Sequence, residues 1–217
     1  MTTNRETFDS IAASWYRTRH WPLLRTELEE VARRWCSGRV ANLGCGHGSD
    51  FLPFKGGFDL YGLDFSRQML LHGCKFTERH RMQASLIQGD LVALPFRDGS
   101  FDYAIAVASY HHVEGEDARE QAFAELHRIL HPGGEVFLSV WNHLQPRFWF
   151  TPRDQQVPWR TEGKVLNRYY HFYRHGELGG LLKRAGFSIE WMGPERRFRG
   201  PIRRLSQNIC VLASRPP

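Results

Sequence analysis

Asn42-Leu43-Gly44-Cys45-Gly46-His47-Gly48 decides the fold. It begins inside the apolar run Val40-Ala41-Asn42-Leu43, which reads as a buried parallel strand, and its glycines let the backbone turn closely past a ligand as the strand gives way to a helix. Upstream, Phe8 to Tyr16 spaces apolar residues at three and four and reads as a helix ending near Trp21-Pro22. A second helix runs from Leu23 to Trp35 and is closed by Gly38. Downstream, strand-like runs recur at Phe58 to Leu63, Ala84 to Ile87, Phe101 to Ala108 and Glu135 to Trp141, with helical patterns at Arg67 to His80 and Asp117 to Leu130 between them. His131-Pro132-Gly133-Gly134 reads as a helix stop and turn. Strand and helix taking turns predict an α/β fold, a doubly wound, mostly parallel sheet with helices on both faces. From Asn142 to Tyr170 the rhythm breaks into Pro, Arg and aromatic residues with no clear period, as an inserted functional segment would. A helix at Arg174 to Ala185 and strands at Phe187 to Met192 and Ser206 to Ala213 complete the pattern.

The chain of 217 residues, 41% apolar and 24% charged, has room for one sizeable domain and excludes disorder, collagen-like repeats and low complexity. The expected parts are N-terminal helices at 1–37, a ligand-binding core at 38–141, a substrate insertion at 142–173, and a C-terminal helix with the last strands at 174–217. No run approaches the ~18 apolar residues of a membrane span, and Met1 to Thr7 lacks the apolar core of a leader, so a cytoplasmic protein without membrane contact is expected. Cys36, Cys45, Cys74 and Cys210 are far apart and form no CxxC pair, as reduced thiols would be. None of the eleven histidines makes an HExxH motif, so no metal site is predicted. Lys and Arg exceed Asp and Glu by 29 to 23, a net +6 that suits an anionic partner.

The glycine string lacks the GxGxxG spacing of a pyrophosphate loop and the Lys-Ser/Thr pair of a Walker loop, which counts against dinucleotides and nucleoside triphosphates. Asp64 ends the second strand 20 residues after Gly44, where a carboxylate can accept both hydroxyls of a ribose. Asp90, after the third strand, is placed to accept from the exocyclic amine of an adenine. Glycine turn, ribose acid and adenine acid on successive strand ends describe a nucleoside without phosphates. His111 and His112 follow the fourth strand, near the reacting end of such a ligand. Glu195 to Arg204 interleaves five arginines with Phe and Pro, a pattern that grips phosphates or forms a charged loop.

Over residues 37–141 and the final strands the sequence resembles the Rossmann-like S-adenosylmethionine-dependent methyltransferases: Gly-Cys-Gly-His-Gly, Gly-Leu-Asp-Phe-Ser, Gly-Asp-Leu-x-x-Leu-Pro-Phe-x-Asp-Gly-Ser-Phe-Asp and Leu-x-Pro-Gly-Gly stand in family order. The resemblance implies a seven-stranded sheet with the insertion after strand 5, and S-adenosylmethionine held by Asn42, Gly44, Gly46, Gly48, Asp64, Phe65, Asp90 and Leu91. Asn42 departs from the acidic residue usual there, which removes one charge near the methionine amino group. A narrower resemblance, to the tRNA wobble 5-carboxymethyluridine methyltransferases including the AlkB-homologue type, rests on Phe8-Asp9-x-Ile-Ala, Thr18-Arg19-x-Trp21-Pro22, His111-His112, Gln156-Val157-Pro158-Trp159 and Arg168-Tyr169-Tyr170-His171-x-Tyr173-x-x-Gly176-Glu177-Leu178. It implies catalytic His111, His112 and Arg19, and a tRNA anticodon loop bound by Tyr16, Trp159, Arg168, Tyr169, Tyr170 and His171. It also implies a small zinc-binding activator subunit at the sheet edge. A small-molecule methyltransferase and a non-catalytic donor-binding adaptor of the same fold are the alternatives.

Overall fold

Because β1 (Gly38–Leu43) is apolar on both faces, it belongs inside a sheet, and helices cover it from either side. The structure is a computed structural model and describes residues 3–161 and 163–217; Met1 and Thr2 of the stretch read as lacking a leader, and Glu162 of the insertion, lie outside them. Strands β2 (Phe58–Asp64), β3 (Ala84–Gln88), β4 (Phe101–Val107) and β5 (Leu130–Trp141) join β1 in parallel. Two later strands, β8 (Ser188–Pro194) and β9 (Asn208–Ser214), add antiparallel pairs, giving the order β3-β2-β1-β4-β5-β9-β8. The chain winds outward from β1 to β3 and then returns to β4, so the order reverses between β1 and β4. Such a switch point leaves a crevice beyond the strand ends, where ligands bind.

Alternate residues of β1 face opposite ways. Ala41 and Leu43 meet Phe123 and Leu126 of α4 (Glu116–Ile129), and Leu178 and Leu182 of α5 (His175–Arg184) join the same core. Val40 packs with Leu28 and Trp35 of α2 (Arg25–Trp35) and Phe76 of α3 (Arg67–Arg79). The first helix, α1 (Asn4–Thr18), starts four residues before the expected Phe8 because Thr3 and Glu6 cap each other's backbone amides. Its Phe8, Ile11 and Ala12 pack on Met69 of α3.

Two expectations are corrected. The glycine turn leads not into an α-helix but into a short 3-10 helix, Ser49–Phe54; Pro53 lacks the N–H that a longer helix would need there. The supposedly irregular 142–170 contains an antiparallel hairpin, β6 (Asp154–Thr161) and β7 (Lys164–His171). Exposure alternates residue by residue along β6, a period of two masked by its charges and by Pro158. Both strands of a two-stranded sheet are edges, so the missing Pro158 N–H is tolerated. The hairpin docks on α1, where the Trp159 indole N–H donates to the Ser14 hydroxyl at 2.9 Å and the ring lies 5.2 Å from Trp15.

Candidate active site

A cavity of about 450 Å³ opens at the switch point, walled by α1, the C-terminal ends of the parallel strands, and β7. Its volume falls in the ~300–1,000 Å³ range of small-molecule sites.

One end is made largely of backbone. Gly44 and Cys45 donate their N–H groups to the Leu63 carbonyl at 2.8 and 2.9 Å, which ties the turn to β2. Gly44 has φ +75°, and a Cβ there would lie 2.3 Å from the Cβ of Ser109, so only glycine fits. The Gly46 N–H donates to one carboxylate oxygen of Asp64 at 2.8 Å and the Ser66 N–H to the other at 2.9 Å. Each oxygen keeps a lone pair for a further donor, such as a ribose hydroxyl. Asp64 is 6% exposed; burial pushes its carboxyl up to about 6 even though the two amides pull it down. Phe65, Leu91 and the exposed Asp90 continue this wall, and Asp90 accepts the Val92 N–H at 3.1 Å.

The other end is made of side chains from distant segments. His111 and His112 both reach the cavity, from the short helix Tyr110–His112 after β4. Nδ1 of His112 lies 2.9 Å from the Tyr169 carbonyl oxygen, which can only accept, so the ring proton sits on Nδ1 and Nε2 keeps a lone pair. The Trp141 N–H donates to Nδ1 of His111 at 3.4 Å, which puts that ring's proton on Nε2 as a donor. Burial holds His112 down at about 3 and His111 well below the ordinary histidine value, so both are neutral at physiological pH. Tyr170 stacks on His111 with centroids 4.7 Å apart, and Trp141 lies 4.9 Å from Tyr170. Arg19 enters from the end of α1, stacked on Trp15 at 4.3 Å.

Seven residues assigned from sequence do not line this cavity. Asn42 is fully buried beneath the turn with both amide atoms unpartnered, and Gly48 shapes the turn at φ +86°. Tyr16 stacks on His72 at 4.8 Å, and Trp159 spends its face on Trp15 and the Arg168 guanidinium. Arg168, 5% exposed, lies behind Tyr170 at 5.1 Å and has no hydrogen bond or ion pair among the described residues. Tyr169 and His171 are corrected as substrate residues: the Tyr169 hydroxyl is taken by Asp154 and Arg119, and His171 is held between Asp154 and Glu177 at 2.8 Å each. On a strand, neighbours point to opposite faces, so Tyr170 alone of that run turns inward to the cavity. Cavity residues not anticipated include Trp15, His47, Asp50, Ser109, Trp141 and Asn208. Asp50 stood in plain view after Gly48-Ser49; Asn208 reaches the site only through strand pairing and carries no local signal.

Orphaned polar atoms gather around this space. Both ring nitrogens of His47, the Ser109 hydroxyl and both amide atoms of Asn208 belong to wall residues and find no partner among the described residues. The Arg19 backbone lies close enough to favour a charged His47, but not in hydrogen-bond geometry, and burial wins, holding the ring at about 4. Unmet donors and acceptors beside a phosphate-free glycine turn fit S-adenosylmethionine, a nucleoside with a zwitterionic tail. Asp64 would hold its ribose, Asp90 its adenine amine and the Gly44–Gly46 turn its amino-acid end.

Residues 41–138 match the family described as Methyltransferase domain. A candidate methyltransferase of Encephalitozoon cuniculi is 32% identical over 186 residues, 82% of this chain and 83% of that one. A tRNA (carboxymethyluridine(34)-5-O)-methyltransferase of Schizosaccharomyces pombe is 27% identical over 219 aligned residues, 88% of this chain and 91% of that one. Among solved structures, a chain from the complex between the Haloferax volcanii Trm112 methyltransferase activator and a candidate methyltransferase superposes with a TM-score of 0.72 at 18% identity, covering 99% of this chain and 98% of that one, and so shares its fold. Sheet order, glycine turn and relatives agree: the chain belongs to the Rossmann-like S-adenosylmethionine-dependent methyltransferases.

Proposed function

We propose that this methyltransferase esterifies the carboxylate of 5-carboxymethyluridine at the tRNA wobble position. The observation that carries the reading is the acceptor end itself, where the cationic Arg19 and Arg168 make no ion pair among the described residues while both histidines are neutral. Unpaired guanidinium groups, Arg168 buried and Arg19 half-buried, favour an anion. When bound, S-adenosylmethionine supplies an electrophilic methyl group on its sulfonium. A carboxylate is already ionised at neutral pH, so no residue has to remove a proton before attack, and alignment with exclusion of water suffices. In this reading Arg19 orients the carboxylate from the cavity wall, and Arg168 raises the positive potential from behind Tyr170. His111 donates from Nε2 to an acceptor oxygen, Tyr170, its faces filled by His111 and Arg168, keeps water out, and Trp141 offers a ring to a base.

The name of the fission-yeast relative supports a tRNA acceptor, and so does the surface beside the cavity. A second, open cleft of about 760 Å³ lies between Pro146-Arg147 of the insertion and Arg197-Phe198-Arg199 of the basic loop, and Gln207 lines both clefts. Three arginines and an aromatic ring suit the backbone and a neighbouring base of a single strand, whereas a small metabolite needs neither. Arg196 does not contribute, because it pairs with Glu30. The activator subunit belongs to the same proposal. β3 ends the sheet and leaves one edge open to a partner, and the Haloferax chain of the same fold was solved with such an activator.

Incubation with tritiated S-adenosylmethionine and tRNA carrying 5-carboxymethyluridine, followed by digestion to nucleosides, tests the proposal. Label is expected in the base-labile methyl ester of that nucleoside. Label in another nucleoside, or transfer only to small molecules, would overturn it.

A further inference from the structure

Asn208 is a wall residue whose chemistry the reading above leaves unused. It sits on β9 directly opposite Trp141 of β5, is 1% exposed, and leaves both Oδ1 and Nδ2 without a partner among the described residues. Its backbone, by contrast, is clamped. The Asn208 N–H donates to Glu195 Oε2 at 2.8 Å, and its carbonyl accepts from the Ser206 hydroxyl at 2.6 Å. Glu195 is itself buried and also accepts the Gln207 N–H at 3.3 Å. A rigidly held, buried amide with neither hydrogen-bonding atom satisfied is costly to the free protein, and a ligand that satisfies both removes the cost.

We infer that Asn208 recognises the imide edge of the acceptor base, an inference that rests on the carboxymethyluridine reading. A carboxamide presents one donor and one acceptor side by side; a uracil imide presents N3–H beside a carbonyl oxygen. Nδ2 donates to that carbonyl and Oδ1 accepts from N3–H. The layout of the sheet agrees. The carboxymethyl group sits on C5, across the ring from the C2 carbonyl, so the edge read is N3–H with the C2 carbonyl. With the carboxylate turned toward the glycine turn and the strand-4 histidines, the imide edge faces the β5–β9 end of the cavity. β9 lies two strand spacings, about 10 Å, from β4, a span that a pyrimidine and its C5 substituent fill. Trp141, the pairing partner of Asn208, also bonds His111, so amide and histidine belong to one wall.

The test replaces the amide by an apolar group of similar shape, Asn208→Leu, and uses anticodon stem-loop RNA carrying 5-carboxymethyluridine or its N3-methylated counterpart. The melting temperature is expected to equal or exceed that of the parent, since an unsatisfied buried amide is removed, and affinity for S-adenosylhomocysteine by calorimetry is expected to stay the same. KM for the RNA rises about 10- to 100-fold with a much smaller change in kcat, and the parent's preference for the unmethylated imide disappears. Asn208→Ser, which removes the amide without adding bulk, gives the same split. A parental KM in both variants, or an intact imide preference, overturns the role of Asn208 while leaving the substrate in place. Weakened cofactor affinity overturns it by moving the residue to the donor end. A parent that methylates neither RNA overturns the substrate reading and this inference with it.

Discussion

The two ends of the cavity are built by different means. At the donor end the wall is a backbone turn with the carboxylates of Asp64 and Asp90, and the short segments 44–46 and 63–66 are locked together by hydrogen bonds of 2.8 to 2.9 Å. At the acceptor end the wall is made of side chains from the end of α1, the short helix after β4, and β5, β7 and β9, held by ring stacking and by single bonds to remote backbone atoms. The first construction tolerates almost no change of shape. The second spreads its work over several contacts, so each one is worth less. Mutations should separate the two.

The largest effect is expected at Gly44. Alanine there meets both a left-handed backbone and the Ser109 Cβ at 2.3 Å, so the turn must move. Donor affinity should fall by about 3 kcal/mol or more, the scale of strain and overpacking added together. Calorimetry with S-adenosylhomocysteine on variant that still melts cooperatively checks this, and a loss below tenfold would mean that the turn adapts. Asp64→Ala comes next, at about 1.5–3 kcal/mol of donor affinity, because it removes an acceptor for the donor and for two backbone amides. Its free carboxyl titrates near 6. Since the ionised form is the better acceptor, parent affinity should climb as pH rises from about 5 to 7 and then level off, and Asp64→Asn should flatten that climb.

The same contrast explains what could be read from sequence. Gly44, Gly46, Asp64 and Asp90 announce themselves because strand ends, glycines and acids lie within a few residues of each chemical task. Strand-helix alternation likewise fixed the parallel half of the sheet, β1 to β5, although not the short 3-10 helix after the turn. The acceptor end has no such locality. Tyr169, Tyr170 and His171 look equivalent in the chain, and only the docking of β7 on α1 decides that Tyr170 faces the cavity while its neighbours bond Asp154. Asn4 shows the same thing. It bonds both the His112 carbonyl and the Tyr169 N–H, thereby bracing a histidine more than a hundred residues away, and nothing near it in sequence says so.

For the histidines a smaller and pH-independent effect is expected. His111→Ala and His112→Ala should each slow single-turnover methyl transfer, by about 10- to 100-fold for the one that touches the acceptor, through lost positioning. Because burial keeps both rings neutral at physiological pH, the loss should be the same at every pH from about 6.5 to 9. The parent rate should be nearly flat there, as a carboxylate acceptor requires. A parent rate rising tenfold per pH unit, with chemistry limiting, would rule out the carboxylate and make one histidine a base.

The smallest effect is expected at the seam between the two ends, where Asp50 follows the glycine turn yet shares the cavity with Arg19. Burial pushes the Asp50 carboxyl from its ordinary 3.8 up to about 7, although the Arg19 charge and the Leu23 backbone pull it down. A carboxyl whose folded value is raised favours the native state fully only below about pH 4, and that contribution is lost as pH rises through 7. Asp50→Asn removes the titration. Variant and parent should therefore be equally stable at the acid limit, with the variant gaining between pH 4 and 7 and holding a constant lead above. Taken whole, the rise would amount to roughly 4 kcal/mol. Asp50 borders the cavity, whose water screens the charge, so a lead of about 1–2 kcal/mol is expected. At ~2–4 °C per kcal/mol for a chain of this size, thermal melts at pH 5 and pH 8 resolve it. A stability difference between variant and parent that is the same at pH 5 and pH 8 would mean that Asp50 titrates as an ordinary solvated carboxylate, and that the seam between the backbone-built and side-chain-built ends is open to water.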